Sequence, residues 1–202
     1  MAMPEYLVFR LYGPLASWGG IAVGEYRPAE QSPTKSAVLG LIGAALGVRR
    51  DDATAQARLR EDYLVASIVH EGGTLLRDYH TTQVAPERAK KRYWRFATRR
   101  EELSIPRDEL NTILSTREYF CDALSTICLR AAAPDPLYSL VEIAEGLRHP
   151  VFVPYLGRKS CPVALPFQPQ VVAGDTLREA LEAVTFRDRD LLRGRPGERS
   201  MG

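Results

Sequence analysis

The stretch SPTKSAVLGLIGAALG, residues 32–47, leaves a chain few ways to fold. Its interior, AVLGLIGAAL, is apolar on nearly every side of a helix, so it has to be buried between other layers. Ser32 stands at the N-cap, Pro33 suits the first helical turn, and Gly47 stands where a left-handed C-cap glycine belongs, which predicts a helix over 33–46. Gly40 and Gly43 are expected to let a neighbouring backbone approach closely. Upstream, EYLVFRLY at 5–12 alternates as a strand. Leu7, Phe9 and Leu11 form its core face, and Tyr6, Val8, Arg10 and Tyr12 form a face of aromatic and cationic groups.

The rest of the chain follows a coarse order. A long loop rich in glycine and proline joins the strand to the helix, and a short polar helix is expected over 51–62. Strands are predicted at 63–69, 75–80 and 118–130, with a polar insertion between the last two. A helix over 137–147 carries Leu140, Ile143, Ala144 and Leu147 at helical spacing. A last helix begins at the Thr176–Glu179 capping box, with Leu177, Leu181 and Val184 on one stripe. The tail from Arg187 has little to bury and is expected to be loose or held by a partner. Strand, helix, strands, insertion, strand and helix fit an α+β ferredoxin-like split βαβ core.

Bulk composition narrows the function classes only a little. The 202 residues carry 27 Lys plus Arg against 25 Asp plus Glu, a formal charge of +2, so any charge signal is local. Cys121, Cys128 and Cys161 are odd in number and form no CxxC pair, which predicts reduced thiols packed as small hydrophobes and no zinc site. His70, His80 and His149 are too scattered for a metal site, so no metal or other cofactor is expected. No stretch reaches the roughly 18 apolar residues of a membrane span, and a soluble, cytoplasmic protein with no membrane partner is expected.

Three stretches could carry chemistry. At the helix start, Lys35 and Ser36 beside free amides make an anion site, but Thr34 occupies the place where a Walker A loop needs glycine. An ordinary cap beside a solvated lysine accounts equally for that stretch. The segment PERAKKRYWRFATRR, 86–100, holds seven cations, among them Arg88, Arg92 and Arg95, interleaved with Tyr93, Trp94 and Phe96. Cations that track phosphates and rings that stack on unpaired bases are the two elements of single-stranded nucleic-acid binding, set against the alternative of a solvated loop. In YLGRKSCP, 155–162, Gly157 permits close backbone approach and Arg158, Lys159 and Ser160 are consecutive phosphate-capable donors. Cys161 with His149 as its base would be a nucleophile pair, but the spacing does not support it and a buried structural thiol is the better reading.

LVFRLYGPLASWGGIAVGE with PTKSAVLGLIGAALG, then DYHTTQ at 78–83, then LRHPVFVPYLGRKSCPVALP together resemble the fifth core Cas family in its type I-E branch, the CasD subunits of the CRISPR Cascade complex. The resemblance covers roughly residues 5–170. It implies an RRM-type RAMP domain over 1–150 with a protruding thumb hairpin inserted at about 81–117, then a glycine-containing RNA-contacting segment and small C-terminal portion over 151–186, and a flexible tail over 187–202. It also implies a non-catalytic subunit that grips the 5′ handle of the crRNA. CasC backbone subunits and the large CasA subunit would be direct partners, with CasB, CasE and target DNA reached indirectly. RNA contact is carried onto Lys35 and Ser36, onto Tyr79 and His80, and onto Gly157, Arg158, Lys159 and Ser160, and the thumb would bring Arg88, Arg92, Trp94 and Arg95. The alternative it leaves open is a metal-independent endoribonuclease built from Tyr79, His80 and Lys35 or Lys159, as in a type I-C relative.

Overall fold

The computed structural model describes residues 3–22, 24–86 and 96–186. Strand β1, Glu5–Tyr12, is followed by four two-residue strands: β2 (Leu15–Ala16), β3 (Trp18–Gly19), β4 (Tyr26–Arg27) and β5 (Ala29–Glu30). The loop rich in glycine and proline is thus pinned to the fold at several points. Helices α1 (Lys35–Ala45) and α2 (Ala53–Glu61) come next, then strands β6 (Tyr63–Glu71) and β7 (Thr74–Val84). After α3 (Arg99–Glu102) the chain forms β8 (Asn111–Cys121), β9 (Leu124–Ala131), α4 (Leu140–Arg148), β10 (Gln170–Ala173) and α5 (Leu177–Glu182).

The main sheet has the order β10-β1-β9-β6, with every neighbouring pair antiparallel. Leu7 pairs with Leu129 and Phe9 with Ile127 in register, and all four are fully buried. They join Val38 and Ile42 of α1 and Ile143 and Leu147 of α4 in one core. Burying each such side chain is worth about 1.5–3 kcal/mol, so this layer of two helices on a sheet contributes strongly to the fold's stability.

The opposite face of β1 is also closed, contrary to the expectation of an aromatic and cationic surface. Tyr6, Val8 and Arg10 are all buried, Tyr6 and Val8 clustering with Cys128 and with Ala180 of α5. Arg10 is tolerated there because its Nε donates to the Pro166 carbonyl at 2.9 Å and its guanidinium lies 5.6 Å from the Phe186 ring centroid.

The strand predicted over 118–130 is two strands. Asp122, at φ 59°, turns the chain between β8 and β9. β9 enters the main sheet, while β8 pairs along its whole length with β7, from Thr74 opposite Cys121 to Val84 opposite Asn111. β2 and β4 add to the other edge of β8. Periodicity could not separate the two because apolar residues run through the turn. Residues 81–84 and 111–117 of the predicted insertion are therefore the outer part of a continuous two-stranded ladder.

The helices follow their sequence signals closely. Ser139 and Glu142 form a reciprocal capping box for α4, whose Leu140, Ile143, Ala144 and Leu147 are buried as the spacing predicts. Helix α1 ends in a Schellman arrangement: Gly47, at φ 78°, donates to the Ala44 carbonyl and Val48 donates to that of Gly43. Its start lies later than expected. Thr34, not Ser32, is the N-cap and accepts from the Ala37 amide at 3.3 Å. Ser32 instead shares a 2.9 Å hydrogen bond with Ser67 of β6.

Candidate nucleic-acid interface

Helix α1 is not enclosed on all sides. Val38, Leu39, Leu41 and Ile42 face the core, while Lys35, Ser36 and Gly40 are exposed on the opposite side. Neither glycine receives a neighbouring backbone as expected. A Cβ at Gly43 would meet only the side chains of Leu59 and Val48, and one at Gly40 would meet nothing within 4 Å. The apolar run had implied burial all round, but alanine and glycine on one side of a helix leave it open where no layer covers them.

That open side is the floor of a groove of about 970 Å³. Ser36, Gly40 and Ala44 line it from α1, Arg49 and Arg50 from the turn after the helix, and Phe152, Tyr155, Gly157 and Lys159 from the segment after α4. Backbone hydrogen bonds hold this second wall against α1: the Val151 amide donates to the Ala45 carbonyl at 3.0 Å and the Phe152 amide to that of Ala44 at 3.1 Å. The C-terminal helix carbonyl of Ala45 is thereby satisfied, and that of Ala44, which already accepts from Gly47, gains a second donor. Arg50 donates from Nη2 to the Tyr155 hydroxyl at 3.4 Å, tying the two walls together at the surface.

The loop carrying Gly157 and Lys159 is built on a close backbone contact. Gly157 has φ 87°, and a Cβ there would lie 1.9 Å from the Ser17 carbonyl oxygen. The close approach predicted for this glycine therefore exists, and the approaching backbone is the chain's own. Ser17 in turn donates its amide to the Leu156 carbonyl at 3.0 Å. Arg158 faces inward. It donates to the carbonyls of Glu118 and Arg27 at 3.3 and 3.2 Å, and its guanidinium sits 5.0 Å from the Tyr119 ring centroid. Burial pushes the Tyr119 phenol up, but hydrogen bonding with Ser160 and Arg158 outweighs this and holds it below its ordinary value.

Glu118, buried on β8, organises the neighbourhood. Its carboxylate accepts from the Tyr26 hydroxyl at 2.5 Å, from Arg77 Nε at 3.0 Å and from the Ala29 amide at 3.4 Å, while its carbonyl accepts from Ser17 Oγ at 2.9 Å. The Tyr26 hydrogen bond above all holds this carboxyl below the ordinary carboxylate range. No sequence signal marked Glu118, because a lone acid in a strand reads as a solvated one.

The residues singled out in the sequence divide into groups. Ser36, Gly157 and Lys159 line one groove, with Lys35 exposed beside it and Ser160 exposed next to Lys159. Tyr79 and His80 lie on β7, outside that lining. As strand neighbours they face opposite sides, Tyr79 strongly exposed and His80 with its Nδ1 3.8 Å from Asp78 Oδ2. Arg88, Arg92, Trp94 and Arg95 fall outside the described residues, as does the tail from Arg187. Arg50, Phe152 and Tyr155 were missed: only the tertiary contact between 151–155 and α1 brings them together.

Cys128 and Cys161 are buried, and desolvation pushes the thiol of Cys128 up to about 11 and that of Cys161 upward as well. His149 is exposed, with its Nε2 3.4 Å from Glu145 Oε1, while Cys161 is fully buried, the surroundings of a structural thiol. Among the described residues no group of three or more His, Cys, Asp or Glu side chains could hold a metal ion, and no helix is long and apolar enough to cross a membrane.

Comparison with known proteins agrees along the chain. The family model for CRISPR-associated protein (Cas_Cas5) matches residues 6–195. The CRISPR system Cascade subunit CasD of Escherichia coli (strain K12) is 34% identical over 172 residues, 81% of this chain and 70% of that protein. Among solved structures, a chain of a CRISPR RNA-guided surveillance complex superposes with a TM-score of 0.63 at 28% identity, covering 89% of this chain and 68% of the other. A crystal structure of a Cas protein gives a TM-score of 0.53 at 26% identity over 88% of this chain and 69% of its own. With a family model spanning nearly the whole length and a relative matched over most of both chains, this protein belongs to the Cas5 family of CRISPR-associated proteins.

Proposed function

We propose that the chain is a crRNA-binding subunit of a Cascade-type CRISPR surveillance complex, that it holds the 5′ handle of the crRNA, and that it works without a catalytic centre of its own. The observation that carries this reading is the convergence of Ser36, Gly157 and Lys159 on one groove, together with Arg50 and Tyr155, from segments far apart in sequence. Cations and hydroxyls along a concave wall suit a phosphate backbone, and aromatic rings suit unpaired bases. The names of the E. coli relative and of the surveillance complex support membership in such an assembly. Guide pairing reads sequence in RNA-guided complexes, so a subunit of this kind needs backbone and shape contacts more than chemistry.

The order β1, α1, β6, β9, α4, β10, with sheet order β10-β1-β9-β6, supports the ferredoxin-like, RRM-type reading of the core. The outer part of the β7–β8 ladder, within about 81–117, then serves as the thumb, with Arg88, Arg92, Trp94 and Arg95 in the segment joining its strands, and it packs on an adjacent CasC-type backbone subunit. A CasA-type large subunit lies beside the handle-binding end. Against an endoribonuclease stands the alternation that turns Tyr79 and His80 to opposite faces of β7, an arrangement poorly suited to an acid and a base acting on one phosphodiester.

Titration of the full chain with crRNA tests this reading. Replacing Arg50 and Lys159 together by Ala weakens binding by on the order of tenfold and flattens the salt slope by about 0.7 log unit for each phosphate that is no longer neutralised. An unchanged slope counts against it. Repeat RNA incubated with the protein in EDTA stays intact; a single cut, lost on His80→Ala, would replace the non-catalytic reading with the nuclease one.

A further inference from the structure

We infer that the groove on α1 receives one unstacked RNA nucleotide whose ring lies directly on the helix backbone at Gly40. This rests on the RNA-binding reading above and adds to it an occupant and a contact point. Glycine is among the poorest residues for a helix interior, and the fold gives Gly40 no reason to be glycine. It sits mid-helix, its backbone has no positive φ, and a side chain there would project into open space. Gly157, on the same groove, is the contrasting case, since both its φ and the Ser17 carbonyl demand glycine. What Gly40 does supply is a bare stretch of helix surface at the floor of the cavity, where a flat ring can reach the backbone.

The walls say which flat ring. Phe152 and Tyr155, both from the segment after α4, bring two aromatic rings to the groove, whose volume falls in the range of about 300–1,000 Å³ typical of sites that bury a small ligand. Of the charged groups lining it, Arg49 pairs with Asp51 at 3.2 Å, which leaves Arg50 and Lys159 as the surplus, both cationic. An apolar peptide segment would gain nothing from that surplus, whereas a nucleotide carries its phosphate beside its base and uses the cations and the rings at once.

The test uses the full chain, a fluorescent single-stranded RNA of the handle sequence, and the variants Gly40→Ala and Gly40→Leu. Gly40→Ala folds at least as well as the parent by thermal melting, because nothing stands within 4 Å of the added Cβ, and the same melt checks that Gly40→Leu is folded. Gly40→Leu weakens RNA binding about tenfold or more, and Gly40→Ala weakens it less. A single abasic site moved along the RNA lowers parent affinity by on the order of tenfold at one position, and Gly40→Leu abolishes that penalty. Parent-like affinity of Gly40→Leu, or a flat abasic scan in the parent, overturns this inference while leaving the RNA-binding function standing. A parent chain that binds no RNA overturns both. If Gly40→Leu keeps its RNA affinity but loses copurifying protein subunits, the occupant is a protein segment and the inference fails.

Discussion

The Tyr26 hydroxyl donates a 2.5 Å hydrogen bond to the Glu118 carboxylate, and through it the loop of β4 and β5 is fastened to the strand that also anchors Arg77 and Arg158. Replacing Glu118 by Ala strips the acceptor from three donors and costs about 2 kcal/mol, measured by urea unfolding at pH 7. Because the folded carboxyl is held below its ordinary value of 4.5, its contribution is fully present above that pH and is lost as the pH falls below it towards the folded value. The difference between parent and Glu118→Ala therefore narrows on acidification below about pH 4.5; a constant difference would mean that the ionised form is not what is bound.

Two glycines on one groove are expected to respond in opposite directions to the same change. Gly157→Ala forces a Cβ against the Ser17 carbonyl at a positive φ and destabilises the chain by about 3 kcal/mol or more. Gly40→Ala removes a helix-interior glycine without a clash and stabilises it by roughly 0.5–1 kcal/mol. Thermal melts of the two variants side by side check both signs.

Asp62, buried between α2 and β6, accepts from Arg58 Nε and from the Leu137 amide, each at 2.8 Å, and its own carbonyl accepts from the Ala132 amide at 2.7 Å. It ties α2 to the connection that leads into α4. Asp62→Ala leaves the Leu137 amide without its acceptor and costs about 2–3 kcal/mol. Hydrogen exchange is expected to rise first around residues 132–139, ahead of the core of β1.

Cysteine accessibility separates the three thiols. Cys128, pushed up to about 11 by burial, and fully buried Cys161 resist iodoacetamide at pH 8, while the half-buried Cys121 is alkylated first. Mass spectrometry of the native protein before and after denaturation in urea reads this order directly. Rapid native labelling of Cys161 would show that the 155–162 loop opens.

Local signals that act within one turn of chain were legible from residues alone. The stop of α1 at Gly47, the four buried positions of α4 and the capping threonine of α5 all stand where side-chain chemistry puts them. So were Ser36 and Lys159 as residues able to meet a phosphate, since hydroxyl and ammonium groups advertise themselves in any context. The structure alone decided what surrounds them. It buried Arg10 beneath α5 and Phe186, turned Arg158 inward to the Glu118 carbonyl, split one apolar run into β8 and β9, and left Gly40 open by laying the 151–153 segment beside α1 instead of across it. Each of these depends on a partner remote in sequence. Periodicity and capping report which groups want burial or a hydrogen bond, but which distant backbone meets that want is set only when the layers pack.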